Sequence, residues 1–457
     1  MIIRRSFKMK KSIILILISL IFPYSIFASP TYTLQLLCQN GVTNNPAIKA
    51  LTYKSKAKEY GYAKSIDTYK PHINLDTNIG YNQYKETNAN IASSYSRGML
   101  EYSVNAVQPI YVPSFLNTIE DAKLNLMLSN LKLKNEKALL IAKIANLSIE
   151  LIRQNQLKMI AKTNKELYKK VFDITNEKYK LRLADKTSLF QSKAQLENAS
   201  SNLVSIKQQY LFTLNNLRLL VNNSNISSQY FHKIFNIDTA QLKKEFTPLL
   251  HKKFYNRVTS NTQMQLYKVF IKIAKNNINK YKIKYYPTAK LNMKYASTQP
   301  DGVEGRRNIA QALVNINIPI YEGGETNDAI QQAKLNYNAV EEDFNNINLK
   351  NHIAFTQNWT QVLSSINNIA ATNYSKQANY FYVTSALESF KDGIKDLTYV
   401  QLAEVNYYNA KIKHINAEAK MLKSLINLYY YAGLSTSKNI KNIETKYITN
   451  TRGSDES

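Results

Sequence analysis

Residues 400–431, VQLAEVNYYNAKIKHINAEAKMLKSLINLYYY, contain the pattern that decides the fold. Small and apolar residues recur there at alternating spacings of three and four, namely Val400, Ala403, Tyr407, Ala410, His414, Ala417, Met421, Ser424, Leu428 and Tyr431. This heptad pattern is typical of a helix that packs along its whole length on another helix. Because several of these side chains are small, the two helices can approach closely.

Similar patterns occur twice more, from Leu189 to Leu220 and from Ile330 to Ile347. The tracts around them lack helix breakers, since none of the ten prolines lies between residues 114 and 247 or after residue 319. Proline and glycine disfavour the interior of a helix, so their absence favours long helices. We predict four such helices, at about 114–177, 185–222, 324–389 and 396–434.

The chain contains an internal duplication with a period near 211 residues. The matched elements are Asn45 with Asn261, Pro109-Ile110-Tyr111 with Pro319-Ile320-Tyr321, and Asp185 and Thr187 with Asp396 and Thr398. A period of this length indicates a duplicated domain rather than a solenoid. We expect a first structural repeat at 29–222, a polar connecting segment at 223–260, a second repeat at 261–435, and a polar, disordered tail at 436–457.

Each repeat also contains a predicted β-hairpin, at about 72–108 and about 288–319. Apolar residues alternate with polar ones over runs of about ten residues, the length of a tilted strand that spans a bilayer. The residues predicted to face lipid are Ile73, Leu75, Ile79, Tyr81, Leu100, Tyr102, Val104, Leu291, Met293, Tyr295, Val314 and Ile316. A soluble sheet with one wet face fits the same alternation.

Four strands cannot close a barrel, and lipid does not tolerate unpaired strand edges. If these strands span a membrane, several chains must therefore pool them. Two copies would give eight strands and a filled interior, and three would give twelve strands and an open pore.

The start of the chain has the features of a secretory signal peptide at residues 1–28. A basic segment with Arg4 and Arg5 precedes a short apolar region from Ile13 to Phe22, and Ala28 offers a small residue for cleavage. No apolar stretch approaches the ~20 residues that a membrane-spanning helix needs. Export without disulfides in a bacterial setting favours the periplasm, the outer membrane or the cell surface.

The single cysteine, Cys38, excludes an internal disulfide and a cysteine-based zinc site. Acylation of Cys38 is the weaker interpretation, because the residue follows Leu36-Leu37 and lies well past the apolar region. The simpler interpretation is a small buried side chain.

The composition is strongly basic, with 60 Lys and Arg against 32 Asp and Glu and a formal charge of +28. The lysines are spread along the whole chain without a concentrated stripe, so a nucleic-acid partner is not expected. The five histidines share no ligand spacing, and no phosphate-binding loop or nucleophile motif occurs. We therefore expect no enzyme activity, no metal and no cofactor.

These elements, in this order and twice over, resemble the TolC-like outer-membrane efflux proteins. The resemblance covers Leu34 to about Ser435. Its motifs are Asn44-Asn45-Pro46, Gln108-Pro109-Ile110-Tyr111, Ile318-Pro319-Ile320-Tyr321-Glu322-Gly323-Gly324, and the two turn segments 179–185 and 390–396.

The resemblance implies a mostly α protein with membrane β-structure. Long antiparallel helical hairpins would form a periplasmic α-barrel in a homotrimer, and four strands per chain would form a 12-stranded transmembrane β-barrel in outer-membrane lipid. Such proteins are passive exit ducts of multidrug efflux or protein secretion systems, and dock a periplasmic adaptor and an inner-membrane pump. By resemblance, the adaptor meets two helix-turn-helix tips, formed by Arg182, Leu183, Ala184 and Asp185 and by Gly393, Ile394, Lys395 and Asp396.

The sequence departs from the family pattern at two places. In the first tip, this chain has Arg182 where the family usually has glycine. The aspartates that narrow the entrance of well-known members correspond here to Tyr399 and Leu402. An entrance constriction at these positions would be aromatic and apolar, so cation-dependent gating is not expected. The alternative to an export duct is a secreted coiled-coil structural protein or adhesin with a soluble β head.

Overall fold

The computed structural model describes residues 33–88, 91–300, 305–392 and 394–450. The predicted signal peptide at 1–28 lies outside these residues. The first repeat consists of two short helices, a β-hairpin and two long helices. They are α1 (Leu34–Asn44), α2 (Pro46–Asp67), β1 (His72–Asn88), β2 (Ile91–Tyr111), α3 (Ser114–Lys180) and α4 (Lys186–Val221).

The connecting segment contains β3 (Lys233–Phe235), α5 (Thr239–Glu245) and α6 (Pro248–Val258). The second repeat then follows the order of the first, with α7 (Thr262–Lys282), β4 (Thr288–Pro300), β5 (Arg307–Asn317), α8 (Glu325–Lys391) and α9 (Leu397–Tyr431). Two further elements, α10 (Ser437–Tyr447) and β6 (Ile448–Asn450), follow the second repeat.

The long helices begin and end within three residues of the predicted bounds. Helices α3 and α8 have 67 residues each, which corresponds to rods of roughly 100 Å at ~1.5 Å per residue. The heptad seam of α9 is buried, with Ala403, Ala410 and Ala417 at successive seven-residue steps. Val383 and Ala386 of α8 pack against this seam near the turn between the two helices. Among the described residues, no helix combines the length and the apolar character needed to cross a membrane.

The duplication extends to the hydrogen bonds that end and begin the helices. Asn222 after α4 and Gly433 after α9 both have positive φ, 53° and 69°, and the next residue of each donates its N–H to the carbonyl five residues back, at 3.0 and 2.7 Å. This is the Schellman arrangement, which needs a residue that tolerates the left-handed region.

Asn45 and Asn261 have the same double role in the two repeats. Each side-chain oxygen caps the helix that follows, α2 or α7. Each side-chain nitrogen donates to a carbonyl at the end of a long helix, Leu220 at 2.8 Å and Tyr431 at 3.0 Å. Each of the two matched asparagines therefore connects a short helix to the end of a long helix, in an equivalent position of its repeat.

The four long strands form one antiparallel sheet in the order β1-β2-β4-β5. Strands β1 and β2 have 17 and 21 residues, which is longer than the predicted runs of about ten. The apolar alternation weakens beyond Tyr81, but pairing continues to Asn88↔Ile91, because backbone hydrogen bonds between strands do not need apolar side chains. Within the described residues, β1 and β5 are the edges of this sheet.

The prediction of a disordered tail at 436–457 is wrong for residues 437–450. Helix α10 buries Ile440, Ile443 and Tyr447, and β6 pairs antiparallel with β3, Thr449 opposite Ile234. These buried residues are spaced three and four apart, which is a helical pattern too short to stand out in a polar segment. The rest of the predicted tail, 451–457, lies outside the described residues.

The largest apolar core lies where α1, α3, α9 and the connecting segment meet. Cys38 is fully buried in it, with its Sγ 3.9 Å from the carbonyl oxygen of Ile141. Burial, followed by the charge of Glu444, raises the pKa of Cys38 to about 12. The thiol is inaccessible, which agrees with the small buried side chain expected from the sequence rather than with acylation.

Glu444 of α10 links the beginning of α1 to the connecting segment. Its carboxylate accepts hydrogen bonds from the N–H of Leu34, the hydroxyl of Tyr230 and the ammonium group of Lys233, each at 2.7 Å. The side chains of Lys233 and Glu444 are 14% and 10% exposed, so this ion pair is largely removed from water.

We expect Glu444→Ala to destabilise the protein by about 3–5 kcal/mol, because it leaves the ammonium group of Lys233 buried without a counter-charge. Thermal unfolding of the purified protein measures this effect. The control is Glu245→Ala at a half-exposed pair with Lys446, for which a loss of about 1 kcal/mol or less is expected. Equal losses in the two variants would contradict the structural role of Glu444.

Candidate docking tips, entrance and membrane face

The first tip connects α3 to α4 through a Schellman turn. The N–H of Leu183 donates to the carbonyl of Lys178 at 2.7 Å, and the N–H of Arg182 donates to that of Tyr179 at 2.9 Å. Arg182 has a φ of +60°, a conformation that costs a residue with a Cβ roughly 1–2 kcal/mol. The position where the family usually has glycine thus requires the left-handed region, and this chain meets the requirement with an arginine.

The second tip connects α8 to α9 and shows the same hydrogen-bond spacing. The N–H of Ile394 donates to the carbonyl of Ser389, five residues back, at 2.8 Å, and the N–H of Lys395 donates to the same oxygen at 3.1 Å. Gly393, a predicted member of this tip, lies outside the described residues.

Both tips present apolar side chains to solvent. Leu183 is 74% exposed and Ile394 is 72% exposed, while Ala184 is half-buried and Arg182 is exposed. Each tip ends in an aspartate that caps the next helix. The carboxylate of Asp185 accepts from the N–H of Ser188 at 2.6 Å, and that of Asp396 accepts from the N–H of Tyr399 at 2.9 Å.

The cap interaction also affects the charge of the first tip. The pKa of Asp185 is lowered by the hydrogen bonds from the backbone N–H and the hydroxyl of Ser188. The predicted tip residues described by the structure are therefore turn and cap residues as well as an exposed surface.

The two predicted entrance residues have different environments. The ring of Tyr399 packs edge-to-face on Tyr382 of α8, with centroids 5.4 Å apart, and the ammonium group of Lys395 lies 4.9 Å from the ring of Tyr399. Leu402, one turn further along α9, is 56% exposed. Tyr399 thus belongs largely to the α8–α9 packing, while Leu402 projects from it.

The strand register brings the twelve predicted lipid-facing residues onto one face of the sheet. Paired residues of antiparallel strands point to the same side, and the pairs run across all four strands. They include Leu75↔Val104, Val104↔Tyr295, Ile79↔Leu100, Ala106↔Met293, Leu291↔Val314 and Ala289↔Ile316. This face is open to solvent in the single chain, with Ile79 82% and Tyr81 83% exposed.

The opposite face of the sheet is mostly polar, although Leu313 and Ile309 of β5 also lie on it. The side-chain amide of Asn105 donates to Asp76 at 2.6 Å, and the ammonium group of Lys294 pairs with Glu101 at 3.0 Å. The sheet therefore has an apolar exposed face and a hydrogen-bonded, charged face. This asymmetry suits a wall between lipid and an aqueous interior.

Long helical hairpins combined with a four-stranded sheet are the fold that this chain shares with the outer-membrane channels described below. Residues 260–434 match the family described as Outer membrane efflux protein. Together with the relatives below, this match confirms the resemblance to the TolC-like outer-membrane efflux proteins that the sequence predicted.

The relatives are distant in sequence and similar in fold. Outer membrane protein TolC from Salmonella enteritidis is 20% identical over 317 residues, which cover 66% of this chain and 62% of that protein. The outer membrane protein VceC of Vibrio cholerae superimposes with a TM-score of 0.73 at 13% identity, over 88% of this chain and 96% of that one. The Campylobacter jejuni CmeC outer membrane channel gives a TM-score of 0.76 at 15% identity, over 90% and 89%.

We expect Arg182→Gly to stabilise the first tip by about 1 kcal/mol, because glycine adopts a positive φ without the steric cost. Hydrogen exchange of the Leu183 amide should slow by about fivefold. The control is Lys180→Gly in the last turn of α3, where glycine costs a helix about 1 kcal/mol and exchange should accelerate. Faster exchange in Arg182→Gly would contradict the assignment of backbone strain at Arg182.

Proposed function

We propose that three copies of this chain form an outer-membrane channel tunnel that serves as the passive exit duct of an efflux or type I secretion system. The observation that carries the proposal is the four-stranded sheet, which has one exposed apolar face and two unpaired edges within the described residues. In lipid such edges must be paired. Twelve strands from three chains close a barrel that is wide enough to leave a pore.

The long helices offer a second reason for self-association. Phe190, Val204 and Leu211 of α4 are 57%, 56% and 48% exposed and lie at multiples of seven residues. On α8, Ile353, Tyr374 and Phe381 are also spaced at multiples of seven residues and are 56%, 73% and 70% exposed. Exposed apolar residues at heptad positions can pack against a helix of another chain. In the proposed trimer, the helices of neighbouring copies cover these residues and complete a periplasmic α-barrel.

The proposed duct uses partners for energy and for contact with the inner membrane. We assign the docking of a periplasmic adaptor, and through it an inner-membrane pump, to the two tips. Leu183 and Ile394 supply exposed apolar contacts there, and the aspartate caps that follow them begin the next long helix of each hairpin. An adaptor with a helical hairpin could bind such a surface by coiled-coil packing.

The entrance of the proposed duct lies just above the second tip. Leu402 of each copy would project from the helices there, and the Tyr399 ring would support it from within the α8–α9 pair. Such a ring has no carboxylates, so it offers no binding site at which a cation could block the entrance. We assign Tyr399 and Leu402 to an apolar constriction that opens by separation of helices.

We expect Ile79→Arg to reduce assembly in the outer membrane, because an arginine at the middle of the lipid face costs about 2–4 kcal/mol per chain. The adjacent variant Asn78→Arg places the same side chain on the polar face and should assemble normally. The fraction of heat-modifiable trimer in detergent-extracted outer membranes measures both. Equal assembly of the two variants, or a wild-type protein that remains a water-soluble monomer, would contradict the membrane assignment.

We expect the double variant Asp185→Lys with Asp396→Lys to impair export while trimers still assemble, because it reverses the charge of both tips and removes both helix caps. The matched control, Asp185→Asn with Asp396→Asn, keeps the caps, since asparagine is an equally good capping residue. Cysteines at Leu183 and Ile394 allow crosslinking to the adaptor in cell envelopes. The yield should fall at least tenfold in the lysine variant, and undiminished export by that variant would argue against docking at the tips.

A further inference from the structure

A cavity of about 170 Å³ lies between the two helical hairpins of the chain. Its walls include Ile160 and Leu167 from α3, Val383 and Leu387 from α8, and Glu404 and Lys411 from α9. Glu404 lies eight residues after the cap residue Asp396, which places it ~12 Å along α9 from the second tip. The cavity is therefore a feature of the helical wall, distinct from the tips and from the sheet.

Glu404 is a buried acid without a partner. The residue is 3% exposed, and neither carboxylate oxygen has a hydrogen-bond partner among the described residues. Glu150, by contrast, is paired with Arg153 and Lys423 where α3 meets α9. Because a carboxylate removed from water needs donors or a counter-charge, the unpartnered carboxylate of Glu404 points to a missing ligand.

The titratable groups around Glu404 do not supply that charge. Tyr168 faces it from α3. Tyr408 of α9 lines the same cavity, and its hydroxyl accepts a hydrogen bond from Asn202 at 2.9 Å. Lys411 lines the same cavity, but its ammonium group lies 5.0 Å from the centroid of the Tyr407 ring. Helix α8 contributes only apolar side chains to the wall, Val383 and Leu387.

We propose that this cavity binds a small primary amine, whose ammonium group donates hydrogen bonds to the Glu404 carboxylate and whose apolar body packs against Ile160, Leu167 and Val383. An ionised carboxylate only accepts hydrogen bonds, so its ligand must be a donor, and a cation balances its charge. An apolar cavity of about 150 Å³ holds a benzene molecule. The Glu404 cavity is large enough for one six-membered ring with an aminomethyl group.

Binding of an amine at Glu404 is coupled to a proton. Burial raises the pKa of Glu404 to about 7 in the empty cavity, whereas the amine binds the ionised carboxylate. Affinity is therefore highest above pH 7 and falls up to about tenfold per pH unit below it, as the carboxyl group takes up a proton. The ligand contacts helices from both hairpins, so its binding also stabilises their packing.

The test is calorimetric titration of the purified full-length protein in detergent with cyclohexylmethylamine at pH 8 and pH 6. The amine stays charged at both pH values, so only the protein changes its protonation. We expect about tenfold weaker binding at pH 6. Cyclohexylmethanol, the neutral analogue, should bind at least tenfold more weakly than the amine at pH 8 and without pH dependence.

Two variants and one control complete the test. Glu404→Gln should weaken amine binding at least tenfold and remove its pH dependence, and Leu167→Phe should block binding by filling the cavity while Glu404 remains. Glu342→Gln, the same change at an exposed position of α8, should leave binding unaltered. Equal affinities of wild type and Glu404→Gln, or of amine and alcohol, overturn the proposal. Because binding is measured without transport, the result is independent of the proposed export function.

Discussion

The close packing of long helices along seams of small side chains is the constraint on which the structure depends. A helix of 67 residues has no stability of its own in water beyond its local hydrogen bonds, and most of its stability comes from packing an apolar face. Ala403, Ala410 and Ala417 keep α9 close to its neighbours along most of its length. The long hairpins therefore connect the sheet at one end with the tips at the other.

The same packing leaves two kinds of surface that a single chain does not satisfy. One is the apolar face and the two free edges of the sheet. The other is the set of exposed heptad positions on α4 and α8, such as Phe190 and Phe381. If identical copies pack side by side, they cover both apolar surfaces and pair the strand edges. The proposed trimer follows from these two needs together, since each is met by the same symmetric arrangement.

The interface between α3 and α9 differs from the seams because it is rich in polar groups. Arg153 of α3 donates to the side chain of Asn416 of α9 at 2.8 Å, and Glu150 is held by Lys423 across the same interface. Among the described residues, neither carboxylate oxygen of Glu404 in α9 has a hydrogen-bond partner. Sequence reasoning alone would assign this glutamate to a solvated helix face, because glutamates are mostly exposed in folded proteins. Its burial depends on how the first hairpin lies against the second, which no local pattern records.

The sequence by itself determined the helices, turns and strands whose formation depends on residues close together in the chain. The seams, the absence of proline and glycine, and the caps at Asp185 and Asp396 define the long helices and turns, because helix formation depends on neighbours three and four residues apart. Strand alternation likewise determined which side chains share a face. The tertiary structure decided what depends on distant residues: the order β1-β2-β4-β5, the burial of α10 through Glu444 and the cavity at Glu404. These features arise where segments hundreds of residues apart meet, and their free energies come from desolvation and partner geometry rather than from local periodicity.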